Sequence, residues 1–168
     1  ARTAVLPFGY APTWWPRRDP DSERGSVVFL GTWSYRRQRY LAALVDTGLP
    51  LVVRGTGWEK QTQVPSAPPI TESAAGDLLG KAVVGVNLLH PQCSDSHNMR
   101  TREITASGAL QLSDPGSDGS PLVDGESFRT FREPAELREQ VLEAFEDRVT
   151  AQKIAKAGQD LTASETYE

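Results

Sequence analysis

The chain reads as an α/β domain, a parallel sheet with helices on both faces, and three observations predict it. Val27 to Gly31, Leu49 to Gly55 and Val83 to Leu89 are runs of β-branched and large apolar residues without polar alternation, the pattern of strands buried on both faces. Segments with helical spacing separate them, and glycines stand where elements of both kinds stop. The length, 168 residues, suits a single domain that buries its core without disulfides or metals.

Residues 1–25 begin without Met and carry Pro7, Pro12, Pro16 and Pro20 around Trp14 and Trp15. They are expected to be a linker from another domain, with residues 26–168 as the folded unit. Tryptophans in such a segment suit an anchor on a neighbouring surface better than a ligand platform. Val27 to Gly31 is the first strand. Tyr35 to Thr47 predicts a helix, with Tyr40, Leu41, Leu44 and Val45 at helical spacing and Gly48 as its stop. Leu49 to Gly55 is the second strand, and Pro50 is tolerable near its start. Residues 61–72 hold Pro65, Pro68 and Pro69 and predict a loop without regular structure. Ser73 to Lys81 follows as a short helix and Val83 to Leu89 as a buried strand. Residues 98–108 predict a helix ended by Gly108, running directly into the strand Ala109 to Ser113. Beyond Gly116 and Gly119, Ser127 to Phe131 makes a short strand. Pro134 then opens a helix with Leu137, Val141, Leu142 and Phe145 inward, and Ile154 and Leu161 mark the last helix. Strands alternating with helices imply right-handed crossovers within one parallel sheet.

Composition narrows the function. The net charge is −4, with 18 basic residues mixed among 22 acidic ones, so there is no basic field to hold a nucleic-acid backbone. Cys93 is the single cysteine, which excludes an internal disulfide and suits a reducing compartment. No run approaches 18 apolar residues and no leader-like segment opens the chain, so a cytoplasmic location without a membrane-spanning segment is expected.

Parallel sheets take ligands at the carboxyl ends of their strands. Four loops qualify here: Gly31 to Ser34, Gly55 to Trp58, Asn87 to Asn98, and the segment from Asp114. Arg100 and Glu103, three apart, share a face at the start of a helix, where backbone N–H groups attract anions. A charged pair aimed at an anionic ligand fits them. So does an ordinary surface ion pair, which contributes only a few tenths of a kcal/mol. Arg36, Arg37 and Arg39 open the first helix, where cations oppose the helix dipole; a bound phosphate would explain such a cost, and a solvated helix face accounts for at least two of the three.

Several motifs fail. Gly31 and Gly55-Thr-Gly57 do not complete a dinucleotide fingerprint or a phosphate-binding P-loop, and there is no Gly-x-Ser-x-Gly elbow. His90, Cys93, Asp95 and His97 match no regular zinc spacing, so no metal site is expected.

With these residues in hand, the chain resembles the C-terminal domain of the CgeB-like, spore-maturation type of glycosyltransferase, a branch of the GT-B, group 1 enzymes with a Rossmann-like domain. The resemblance is carried by Val28-Phe-Leu-Gly-Thr32, Arg37 with Leu41, Val53-Arg-Gly55 with Gly57-Trp58, and above all His97-Asn-Met-Arg-Thr-Arg-Glu-Ile-Thr-Ala-Ser-Gly108. Leu112-Ser-Asp114, Val123-Asp-Gly-Glu126, Phe131 with Glu136-Leu137, and Ile154-Ala-Lys-Ala-Gly158 follow in family order.

The resemblance implies a domain that binds a nucleotide-diphosphate-sugar as substrate, with no cofactor, while an N-terminal domain outside this chain holds the acceptor. Glu103 would grip the ribose hydroxyls, since a carboxylate can accept two O–H groups at once. Arg37 and Arg100 would contact the diphosphate, Gly31, Thr32 and Gly55 would allow backbone approach, and Asn87, His97 and Asn98 would wall the cleft. Arg37, Arg100 and Glu103 are the residues implied to serve catalysis. Retaining relatives carry a further glutamate eight residues before the ribose glutamate, where this chain has Asp95. The family pattern has Phe before that glutamate, whereas Arg102 stands here. Two readings of Arg102 stay open: a charge beside the site that alters nucleotide choice, or a solvent-facing side chain. For the whole chain the leading expectation is the donor half of a hexosyltransferase-type enzyme, inactive when isolated. The alternatives are a non-catalytic nucleotide- or sugar-binding module and a scaffold for a partner.

Overall fold

A computed structural model describes residues 9–17, 24–90, 98–116 and 121–167. Five strands, β1 (Ser26–Leu30), β2 (Leu51–Arg54), β3 (Ala82–Asn87), β4 (Leu110–Ser113) and β5 (Arg129–Thr130), form one sheet in the order β2-β1-β3-β4-β5. Every pairing is parallel. The helices are α1 (Tyr35–Val45), α2 (Glu72–Leu79), α3 (Met99–Ala106), α4 (Pro134–Glu146) and α5 (Arg148–Leu161), and a single 3₁₀ turn spans Trp58–Lys60.

Strand pleating divides the core between the two faces. Val27, Phe29, Val84, Val86, Leu110 and Leu112 pack with Tyr40, Leu41 and Leu44 of α1 and Leu137 and Val141 of α4. On the other face Val28 packs with Ala75 and Leu79 of α2 and Ile104 and Ala106 of α3, joined by Tyr10 and Trp15. Gly85 makes the second face possible, because a Cβ there would lie 2.6 Å from Ile104 Cγ2. The expected α/β Rossmann-like architecture is therefore present, with β3 buried at all six positions.

Local expectations differ in four places. Apart from β1, which keeps five residues, the strands are shorter than the runs expected, and β2 excludes Leu49 and Pro50. The 61–72 segment is not wholly irregular: Ala67 donates to Val53 O at 3.0 Å and accepts from Gly55 N at 3.2 Å, covering the edge of β2. In α4 the fully buried residues are Leu137, Val141 and Ala144, whereas Leu142 and Phe145 are half-buried at the flanks of the apolar stripe. Leu161 is 42% exposed, and the buried contact at that end belongs to Thr162, whose hydroxyl lies 3.0 Å from that of Thr105.

Residues 9–17 lie on the body of the domain. Tyr10 donates to Glu165 O at 3.0 Å and accepts from Tyr167 N at 3.1 Å. Gly76 of α2 accommodates this segment, since a Cβ there would sit 2.0 Å from Trp14 O. Trp15 is buried as an anchor should be, but its neighbour Trp14 is half-exposed.

Candidate functional site

The chain runs from β1 outward to β2 and then returns to place β3 on the other side of β1, so the strand order reverses between β1 and β3. Crevices open at such a reversal, beyond the carboxyl ends of the strands. Two adjoining cavities lie there. One, of about 290 Å³, is lined by Phe29, Leu30, Arg37, Asn87, Leu88, Asn98, Met99, Arg100 and Glu103. The other, of about 210 Å³, is lined by Leu30, Gly31, Thr32, Arg54, Gly55, Thr56, Pro69, Ile70, Glu72, Ala75 and Arg100. Leu30 and Arg100 border both. Together the cavities reach the range of roughly 300–1,000 Å³ usual for small-ligand sites. Another cavity, between β4 and the α4–α5 junction, opens at Leu110, the first residue of its strand, and its Arg129 is engaged by Glu143 at 2.9 Å.

α3 brings the charged pair to this crevice. Asn98 caps the helix, its side chain accepting from Thr101 N at 3.3 Å and from Asn87 Nδ2 at 3.1 Å. Asn87 also donates to Thr101 Oγ1 at 3.1 Å. The last residue of β3 thus fixes the first turn of α3. A cap of this kind is worth about 1 kcal/mol.

Arg100 Nη1 and Glu103 Oε2 form an ion pair at 2.5 Å. It is not an ordinary surface pair, because the Glu103 side chain is only 8% exposed against 26% for Arg100. Burial pushes the Glu103 carboxyl above the usual glutamate range, Glu72 adds to that rise, and Arg100 opposes it. A carboxylate held against desolvation by a single neighbouring cation is ready to accept donors from a ligand.

Arg37 crosses between loops. Its Nη1 donates to Thr32 O and its Nη2 to Leu88 O, both at 2.8 Å, and the guanidinium lies over the Phe29 ring. Burial, with Arg36 as the next cause, lowers its pKa below the ordinary arginine value, and it remains cationic. Arg36 instead turns to Asp114, which also accepts from Leu89 N at 2.7 Å. Arg39 is exposed.

Gly31 and Gly55 meet each other. Gly31 N donates to Arg54 O at 2.9 Å, and a Cβ on Gly55 would stand 2.0 Å from Gly31 O. Trp58 fixes the same carbonyl, its indole N–H donating to Gly31 O at 2.8 Å.

The structure thus brings Arg37, Asn87, Asn98, Arg100 and Glu103 to one cavity and Gly31, Thr32 and Gly55 to the next, with Arg100 between them. His97 and Asp95 lie outside the described residues. Arg102 follows neither open reading: it is 1% exposed and pairs with Glu165, Nε to Oε2 at 2.7 Å. Sequence reasoning marked the segment from Asp114 as a carboxyl-end loop but did not foresee that Asp114 engages Arg36 and Leu89 N. Glu72, the first residue of α2, carried no comparable signal. Among the described residues there is no group of three or more His, Cys, Asp or Glu suited to a metal ion, and no helix long and apolar enough to cross a membrane.

Comparison with known proteins bears on the fold. Sucrose-phosphate synthase from Thermosynechococcus elongatus superposes with a TM-score of 0.68 at 13% identity, covering 98% of this chain and 48% of that one. The C-terminal domain of a group 1 family glycosyl transferase from Francisella tularensis gives 0.64 at 13% identity, over 96% of this chain and 97% of the other. Anabaena HepE, solved with UDP and glucose, gives 0.71 at 11% identity over 94% and 51%. The chain therefore spans about half the length of the synthase and of HepE. At such identities the likeness establishes the fold, that of the domains of GT-B, group 1 glycosyltransferases. No curated protein sequence matches the chain. A family model described as glycosyl transferase-like matches residues 36–168, and it is to this glycosyl transferase-like family that the chain belongs.

Proposed function

We propose that the two cavities at the β1–β3 reversal bind a nucleotide-diphosphate-sugar, and that the chain is the donor-binding part of a cytoplasmic glycosyltransferase of hexosyltransferase type, within the CgeB-like branch. The observation that carries this reading is the pairing of the buried Glu103 with Arg100, which borders both cavities. Glu103 Oε1 and Oε2 accept the two ribose hydroxyls. Arg100 faces the diphosphate, and Arg37 adds positive charge from the cavity wall, while Gly31, Thr32 and Gly55 let loop backbone approach. Asn87 holds the cap of α3, and Asn98 walls the cleft beside it.

The reaction asks two things of such a domain. When the bond from the sugar anomeric carbon to the diphosphate breaks, the diphosphate leaves with the electron pair, and fixed cations stabilise that charge without reorganising. The donor must also be held still against the acceptor. Arginine suffices for the first, so no metal or cofactor is assigned to this domain. The acceptor is assigned to an N-terminal domain outside residues 1–168, and the isolated chain is accordingly inactive. HepE holding UDP and glucose, and T4 phage BGT holding UDP and Mn2+ with a TM-score of 0.64, support the nucleotide-sugar reading.

Calorimetric titration with UDP, GDP, TDP and ADP tests it. At least one nucleotide is expected to bind, and Glu103→Ala and Arg100→Ala to weaken it by roughly tenfold to a hundredfold, as for hydrogen bonds to charged groups. Absence of binding at millimolar concentration would overturn the donor-site reading. Equal binding by Glu103→Ala would remove the ribose assignment alone.

A further inference from the structure

Arg100 is held from two sides. Glu103 stands on one, and on the other the Trp15 ring lies under the guanidinium, 5.4 Å from its central carbon to the ring centroid. Trp15 is 2% exposed and comes from a segment 85 positions earlier in the chain, seated by backbone contact on α2 and by its pairing with residues 165–167. A cation over an indole face gains electrostatic attraction that neither Leu nor Ala in its place would supply.

We propose that Trp15 is a positioning residue of the donor site: its ring holds the Arg100 guanidinium at the partition between the two cavities, in contact with Glu103. Seating of the Gly9–Arg17 segment on α2 then sets where the site's central cation stands. This deepens the donor-site reading and rests on it for ligand affinity, but the geometry within the protein is testable without any ligand.

The charged groups that bear on Glu103 are Arg100 on its own helix and Glu72 from α2, and Arg100 also bears on Arg37 from α1. Of these, Arg100 lies over the Trp15 ring. Loss of the ring therefore releases Arg100 and weakens the one influence that lowers the Glu103 pKa.

Carbon-13 NMR of the Glu103 carboxyl in the ligand-free chain reads this directly. Trp15→Leu is expected to raise the Glu103 midpoint by about half a pH unit, and Trp15→Phe, which keeps an aromatic face, by less. In an Arg100→Gln background Trp15→Leu is expected to shift nothing further. In the unmodified chain the Trp15 indole resonances are expected to follow the Glu103 midpoint, which keeps the proposal open to refutation if the Leu variant does not fold. An unresponsive indole, or an equal shift in the Arg100→Gln background, would overturn the positioning role. With the nucleotide that binds in calorimetry, Trp15→Leu is expected to lose roughly threefold to tenfold in affinity, and none in the Arg100→Gln background. A chain that shows the NMR coupling but binds no nucleotide refutes the donor-site reading and leaves the positioning role intact.

Discussion

Glu103 is buried, and its folded-state pKa is raised, first by desolvation and then by Glu72, with Arg100 pulling the other way. The sign follows from linkage. With the folded value above the unfolded one, the carboxyl favours folding most below the unfolded pKa, and that advantage is lost as pH rises through the folded value. Ligand binding runs opposite, because only the ionised carboxylate accepts two hydroxyls. Affinity for a UDP-sugar, whose phosphates do not titrate in this range, is expected to fall as pH is lowered through the raised Glu103 midpoint, above the ordinary glutamate value. In Glu103→Gln the dependence is expected to flatten, as calorimetry across pH would record. An unchanged slope in Glu103→Gln would assign the titration elsewhere. At this scale the sequence was informative where chemistry follows from spacing, as for Arg100 and Glu103. It marked Trp15 as an anchor but not its place against Arg100, and it left the fate of Arg102 open, since both depend on which distant segments fold back against α3.

Among the elements, α3 shows why pattern reading stops short. Thr101 through Ala106 are all buried, polar residues included, because β3, β4, α5 and the segments near both ends of the described chain surround the helix. No hydrophobic stripe can mark an inward face on such a helix. The strands were legible for the converse reason: β3 is apolar on both sides because helices cover both. What brings α3 close enough for the Asn87–Asn98 cap is Gly85 against Ile104. Gly85→Ala is expected to destabilise the protein by about 1–3 kcal/mol, as overpacked cores do. Combined with Ile104→Ala, its further cost is expected to be much smaller in urea denaturation, because the obstructing atoms are gone. Simple additivity of the two changes would contradict close packing at this contact.

For the molecule as a whole, strand and helix order sufficed to infer the parallel sheet and the edge at which its two adjoining cavities open, whereas the closing contacts of the chain were not legible. Arg102 reaches Glu165 across 63 positions of sequence. Glu165→Ala, which removes the carboxylate from a guanidinium 1% exposed, is expected to cost about 3 kcal/mol in urea denaturation, the usual penalty for breaking a buried pair from one side. A loss below about 0.5 kcal/mol would class the pair with surface ion pairs. The meeting of Gly31 and Gly55 bears on how such a domain can change over generations. A side chain at position 55 would occupy the space of the Gly31 carbonyl, which Trp58 also holds. The two loops are consequently a single heritable unit: a descendant that gains a side chain at 55 must re-route residues 31–33 in the same step. New donor preferences are thus more accessible through Pro69, Ile70 and Glu72, across the same cavity, where substitution leaves that contact untouched.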